Sequence, residues 1–190
     1  MLSEQAADTE SRGRADLMIR ELDRVAERLE EFLGFARKRK QAAAPVDLAA
    51  LAAEVVALFA PDADAAGTSL VLERSADPPV VEGDAAELKE LMTNLVLNAL
   101  QACAGGRVVV RAARSAGCVE LTVADGGPGI RPEDLPRLFE PYFTTKDRGS
   151  GLGLAISRRI AEDHGAALTL ENGPEGGAIA RLRFEQGATR

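Results

Sequence analysis

The chain has 190 residues, 46% of them apolar, with no Trp, one Tyr and a formal net charge of −7. Such a length suits one ordinary domain plus an appendage, built around a mostly aliphatic core. The negative balance excludes extended nucleic-acid binding, which the short basic run Arg37-Lys38-Arg39-Lys40 does not reverse, and no apolar run approaches the roughly 18 residues of a membrane span.

The first eleven residues are polar and acidic, unlike a signal peptide. From there Ala15, Met18, Leu22, Val25, Leu29, Phe32 and Ala36 recur at alternating spacings of three and four, the seam of a helical bundle. Ile19, Ala26 and Leu33 widen that stripe. So wide an apolar face needs a partner, and with no matching helix elsewhere in the chain it points to a homodimer through this helix. The basic run at 37–40 suits the helix C-terminal dipole.

Residues 41–46, rich in Ala and Pro, read as a linker and domain boundary. Asp47 caps a helix over 48–60 that Pro61 stops. Residues 68–74 form a strand with Leu70 and Leu72 on one face. A short Val80-Val81 strand then leads to Asp84, which with Glu87 makes a capping-box-like pair opening a helix over 85–103. Alternation over 107–114 and 118–124 predicts an antiparallel pair turning at Ala116-Gly117, and 168–171 with 178–184 predicts another hairpin. Cys103 and Cys118 lack metal-ligand spacing and read as reduced thiols in a cytoplasmic protein.

Between these elements lie two glycine clusters, Asp125-Gly126-Gly127-Pro128-Gly129 and Gly149-Ser150-Gly151-Leu152-Gly153-Leu154. Glycines this dense let backbone N–H groups approach a ligand without Cβ interference. The second cluster runs into a helix over 152–163, whose free N–H groups attract phosphate. A carboxylate before one turn and a phosphate-seeking helix start after the other suggest a nucleotide held at both ends, namely ATP. The helix from residue 85 has two faces. Leu88, Leu91, Leu95, Ala99 and Ala102 form an apolar one, while Glu90, Asn94, Asn98 and Gln101 form a polar stripe. Repeated Asn is unusual on a merely solvated helix face, and amide and carboxylate oxygens there suit a hydrated cation such as Mg²⁺ shared with phosphates.

Together these segments closely resemble the ATP-binding domain of sensor histidine kinases, in the superfamily shared with gyrase, Hsp90 and MutL. Glu90-Leu91-Met92-Thr93-Asn94-Leu95-Val96-Leu97-Asn98-Ala99 resembles the N box, and Asp125 to Gly129 the first glycine box. Leu138 to Lys146 resembles the F box, and Gly149 to Leu154 the second glycine box. The resemblance extends to Arg20-Glu21-Leu22-Asp23-Arg24 and Phe32-Leu33-Gly34-Phe35-Ala36-Arg37, which look like the second helix of the dimerisation and phosphotransfer hairpin. It implies two domains. Residues 1–41 would be part of that hairpin, and 46–187 an ATP-binding catalytic domain. The implied fold class is an α/β (α+β) two-layer sandwich of the Bergerat type, a mixed, mostly antiparallel sheet packed on helices, preceded by the long bundle helix.

The resemblance also implies roles. Asp125 would accept a hydrogen bond from the adenine amino group, with Gly127 and Gly129 letting the backbone turn beneath the base. Asn98 would ligate Mg²⁺, and Asn94 would support the metal or the phosphates. Gly149, Ser150, Gly151, Leu152, Gly153 and Leu154 would form the hinge and phosphate-binding backbone of a lid to which Lys146 supplies charge. The ATPase relatives carry a glutamate general base at the position of Asn94, so an amide there favours transfer to a protein over hydrolysis. Glu90 is the remaining candidate for proton abstraction. The implied partners are ATP and ADP, a response regulator receiver domain and the phosphoacceptor hairpin of a full-length kinase, itself open to membrane anchoring.

Three positions depart from the family. Many members have a basic residue and an aromatic where this chain has Gln101 and Ala102, a loss for which Lys146 or Arg148 could compensate. Ala178 replaces a threonine that often bridges adenine through water. No phosphoacceptor histidine is present, since His164, the single histidine, reads as a helix end whose partly charged ring favours the dipole. The expectation is a piece of a longer kinase cut just after its acceptor and unable to autophosphorylate. Phe139 and Phe143 read equally as lid lining or lid packing. Two other readings share the ATP site: an anti-sigma-type serine kinase, and a regulatory module that binds nucleotide without transferring phosphate.

Overall fold

A computed structural model describes residues 43–75, 77–115, 117–146 and 149–185. The bundle helix, the basic run at 37–40, Ala116 and Arg148 lie outside the described residues, as does the proposed hairpin.

The ordered elements are β1 (Ala44–Asp47), α1 (Leu48–Ala65), β2 (Ser69–Arg74), β3 (Val80–Gly83), α2 (Ala85–Ala102), β4 (Arg107–Ser115), β5 (Cys118–Asp125), a 3-10 turn (Leu135–Arg137), α3 (Gly153–Asp163), β6 (Ala166–Asn172) and β7 (Ala178–Glu185). The main sheet has the order β2-β4-β5-β7-β6. Its β2–β4 pair is parallel and its other pairs are antiparallel. The period of two is clear in β5, where Val119, Leu121 and Val123 are buried while Glu120, Thr122 and Ala124 turn to the other face. Helices cover the first face, with Leu48, Leu88, Leu91, Met92 and Ile160 among the largest fully buried side chains. The opposite face carries exposed Arg111, Thr169 and Arg183. The result is the two-layer sandwich expected from the sequence.

Four local readings need correction. Residues 44–46, read as the end of the linker, form a strand with Asp47, paired antiparallel with Val80–Gly83 so that Val46 and Val81 face one another. A non-local partner supplies the hydrogen bonds that Ala/Pro composition does not advertise. α1 continues through Pro61 to Ala65. Both Pro61 and Ala57, whose carbonyl loses its helical donor, are exposed, so the missing bond lies on the solvent side of the helix. Asp84 caps α2 through Oδ1, which accepts from Ala86 N and Glu87 N, yet the reciprocal half of a capping box is missing. The Asp84 N–H donates to His164 Nε2 at 2.9 Å instead. Finally, Ala102 is exposed, and Met92 and Val96 complete the buried face of α2.

His164 ends α3, followed by Gly165 at φ +65°, but its ring does not serve the dipole as a cation. Nδ1 lies 2.7 Å from Ile160 O while Nε2 accepts from Asp84. Both contacts together require the neutral ring protonated on Nδ1. Gly83 makes room for it, since a Cβ there would sit 2.6 Å from the His164 ring. Burial pushes the neighbouring Glu87 carboxyl up from its ordinary value.

Candidate functional site

The polar stripe of α2, the turn after β5 and the start of α3 converge on one end of the domain. Asp125 closes β5, and its Oδ1 accepts from Gly127 N at 2.9 Å and from Ala178 N at 3.2 Å. One carboxylate oxygen therefore fixes both the glycine turn and the opening of β7. Oδ2 accepts no hydrogen bond from the described residues, so it remains the free acceptor of this half-buried group. Ala178 takes part through its backbone, a contact that needs no side chain. Gly177, at φ +70°, presses so closely on Asp125 that a Cβ would lie 1.7 Å from its carbonyl oxygen. Gly127 leaves no room either, because its Cβ would meet Ala102 O at 2.6 Å.

Beyond Gly129 (φ +77°) the chain is gripped by Asn172, whose Oδ1 accepts from Ile130 N at 2.7 Å and whose Nδ2 donates to Ile130 O at 2.8 Å. The carboxamide thus imitates a strand partner. A groove lined by Gly129, Ile130, Leu138 and Thr145 joins this turn to the following loop. That loop packs through its aromatics: Arg137 lies 4.4 Å from the Phe143 ring centroid, Arg158 lies 5.3 Å from that of Phe139, and Phe139 packs on the core. Packing therefore accounts for both rings.

The second glycine cluster is anchored where Tyr142 N donates to Gly151 O at 3.0 Å. Gly151 has φ +71°, and a Cβ would sit 2.5 Å from the Tyr142 carbonyl carbon, so only glycine fits. Tyr142 itself has φ +68° and is 65% exposed. A bulky residue held in the left-handed region stores strain. Leu152 precedes α3 without any side-chain cap, which leaves the helix's first N–H groups to other acceptors. Ser150 Oγ accepts from Leu152 N at 3.3 Å.

Asn94, half-buried, reaches across to α3, its Nδ2 donating to Gly153 O at 3.4 Å. Glu90, one turn earlier, is exposed. Asn98 and Gln101 present their amide oxygens to a single cation, the Lys146 ammonium, at 2.7 Å and 2.5 Å. Burial among these groups pushes Lys146 below the usual lysine range, a modest effect because the residue as a whole is exposed. The Lys146 ammonium thus rests on α2, while its backbone belongs to the loop before the second glycine cluster. Asp125, Gly127, Gly129 and Gly177 cluster between the end of β5 and the start of β7, and Asn94, Asn98, Gly153 and Lys146 along α2. Asn172, Gly177 and the hold of Gln101 on Lys146 were not expected; the Asn-Gly-Pro and Gly-Gly turn signals at 172–177 marked a turn, with nothing local to reveal what it touches.

A family model described as histidine kinase-, DNA gyrase B-, and HSP90-like ATPase matches residues 83–188. The sensor histidine kinase ZraS of Klebsiella oxytoca is 36% identical over 177 residues, covering 91% of this chain and 38% of ZraS. The chain therefore spans well under half the length of that relative. Among solved structures, the catalytic domain of histidine kinase ThkA matches with a TM-score of 0.71 at 30% identity, over 77% of this chain and 97% of that one. ThkA in complex with the response regulator protein TrrA matches with a TM-score of 0.75 at 28% identity, over 90% and 50%. Full-length ShkA in complex with AMPPNP matches with a TM-score of 0.78 at 29% identity, over 88% and 37%.

Proposed function

The chain belongs to the family of histidine kinase-, DNA gyrase B- and HSP90-like ATPases, and on that premise we propose that it is the catalytic core of a two-component sensor histidine kinase. Its reaction is transfer of the γ-phosphoryl group of ATP to a histidine that this sequence does not contain. The observation that carries the reading is the convergence of Asp125, the two glycine turns and the Asn94/Asn98 stripe on one end of the domain. The sensor kinase relatives, rather than other members of the family, supply the reaction class.

Asp125 is built to select a base. With Oδ1 committed to Gly127 and Ala178, Oδ2 accepts from the exocyclic amine of adenine, a group that guanine lacks at that position. Gly127 and Gly129, where a Cβ would collide with Ala102 O and Asn172 Oδ1, let the backbone turn beneath the ring. At the other end, the uncapped N-terminus of α3 and the N–H groups around Gly151 and Gly153 face the phosphates. Asn94 holds the α2–α3 seam in register beneath them, and having no carboxylate it cannot take a proton from water, which favours transfer over hydrolysis. Glu90, exposed on the same stripe, is the acceptor-side base.

The donor chemistry fits a divalent cation. Asn98 Oδ1 and Gln101 Oε1 already converge on a cation, the Lys146 ammonium standing where a metal and its waters would lie. Mg²⁺ keeps several waters and is shared with substrate phosphates, so one amide oxygen of the protein suffices to place it. Asn98 would be its protein ligand, and the charge it supplies is neutralisation at the transferred group.

The partners implied are ATP and ADP, the phosphoacceptor hairpin of the whole kinase, dimerisation through the helix at 15–36, and a receiver domain, as in the ThkA–TrrA complex. A cytoplasmic setting accords with these partners, and no helix among the described residues is long and apolar enough to cross a membrane. Calorimetric titration with ATP, with and without Mg²⁺, tests the site, and mixing the chain with a histidine-bearing hairpin and γ-labelled ATP tests the reaction. Mg²⁺-dependent binding and acid-labile label on the hairpin are expected. Label on a serine substrate, or binding with no transfer at all, would replace this reading with the serine kinase or the regulatory module.

A further inference from the structure

The stripe of α2 that faces the phosphates carries Glu90, Asn94, Asn98 and Gln101 and no positive charge of its own. Positive charge reaches it from 45 residues away, as the Lys146 ammonium settles between two amide oxygens one turn apart. We propose that Gln101 is a positioning residue that holds Lys146 over α2 beside the phosphate site, and that Lys146 and a divalent cation compete for the one carboxamide oxygen of Asn98. The proposal rests on the reading of Asn98 as metal ligand.

An ammonium has three donors. Asn98 and Gln101 take two, leaving one for a phosphate oxygen. When Asn98 turns its oxygen to a metal, Gln101 alone keeps Lys146 within reach of the negative charge. A glutamine suits this task because a neutral amide holds an ammonium reversibly, with no ion pair to dissolve, whereas a basic residue at 101 would repel Lys146. The lysine backbone is steadied nearby: Thr144 Oγ1 accepts from Lys146 N at 3.1 Å, and a Cβ on Gly149 would meet that same Oγ1 at 2.5 Å.

Competition and charge delivery predict effects of opposite sign, which a merely structural role does not. The experiment measures ATP affinity in EDTA, and the half-saturating Mg²⁺ concentration at saturating ATP, for the parent chain, Lys146→Met, Gln101→Ala and the double variant. In Lys146→Met, ATP affinity in EDTA is expected to fall about tenfold for loss of a charge-assisted contact, while the half-saturating Mg²⁺ concentration also falls because Asn98 is released. Gln101→Ala is expected to weaken ATP about threefold in the parent and to do nothing further in the Lys146→Met background. A Gln101→Ala loss that persists undiminished without Lys146 would overturn the positioning role. A half-saturating Mg²⁺ concentration that stays or rises in Lys146→Met would overturn the competition. A parent chain that binds no ATP would instead sink the nucleotide-site reading itself, and this proposal with it.

Discussion

Helices α2 and α3 run antiparallel, and their two ends are built on opposite plans. At one end Asp84, the cap of α2, meets His164, the cap of α3. That junction is buried, with both imidazole nitrogens and the Asp84 N–H engaged, though Asp84 Oδ2 is left without a partner. At the other end the helices are joined by the long Asn94–Gly153 contact, an uncapped α3 N-terminus and a lysine held by two amides. The first end commits its polar groups to the protein. The second keeps N–H groups and amide oxygens available, which lowers stability locally and creates a surface for phosphate and metal. Between the two ends, Leu88, Leu91 and Leu95 of α2 share one buried cluster with Ile156 and Ile160 of α3, and this apolar packing keeps Asn94 and Asn98 beside Gly153.

Four variants test the difference between the two ends. The largest effect is expected at Gly177, where the open end rests on rigid backbone. Gly177→Ala should cost about 3 kcal/mol or more, since a Cβ would collide with the Asp125 carbonyl at a positive φ, and chemical denaturation would show it. A cost below about 1 kcal/mol would mean that the backbone around Asp125 yields and that this end is not rigid. Next, Asp125→Asn can keep its oxygen on Gly127 and Ala178 while presenting a donor to adenine. It should weaken ATP binding about 10–100-fold with little loss of stability, read by calorimetry beside thermal melts. His164→Ala should behave in the reverse manner. Leaving the buried Asp84 N–H unpaired is expected to cost about 1–3 kcal/mol, with ATP affinity changed less than about threefold if the two ends are as separable as their construction suggests.

The smallest effect on stability belongs to Lys146. Its folded-state pKa is lowered by burial, so the folded protein holds this proton less tightly than the unfolded chain. The charged form therefore costs stability at neutral pH, and that cost disappears as pH rises through the folded value toward the ordinary lysine range. Because the residue as a whole is exposed, the effect is slight. Lys146→Met should leave unfolding at pH 7 within about 0.5 kcal/mol of the parent. A large destabilisation would mean Lys146 belongs to the framework rather than to the site.

Much of this was legible because it is local. Alternation in β4 and β5, the caps Asp47 and Asp84, the glycine turns and the 3.6-residue spacing of Asn94 and Asn98 are all set by residues within a turn or two of each other, where steric and hydrogen-bonding preferences act without help. The boundaries that failed did so where a distant group overrode the local signal: β3 gave Ala44–Asp47 a partner, and exposure let α1 pass Pro61. How these pieces meet is a matter of long-range packing. His164 reaches Asp84 across 80 residues, Lys146 reaches Asn98 across 48, and Asn172 grips Ile130 across 42. No periodicity encodes such pairings, because they depend on the sheet bringing chain ends together in space. Read alone, the residues already specify a nucleotide-shaped set of glycines, amides and one carboxylate. The packing of α2 against α3 over the sheet decided which of those groups are spent on the protein and which remain for a ligand.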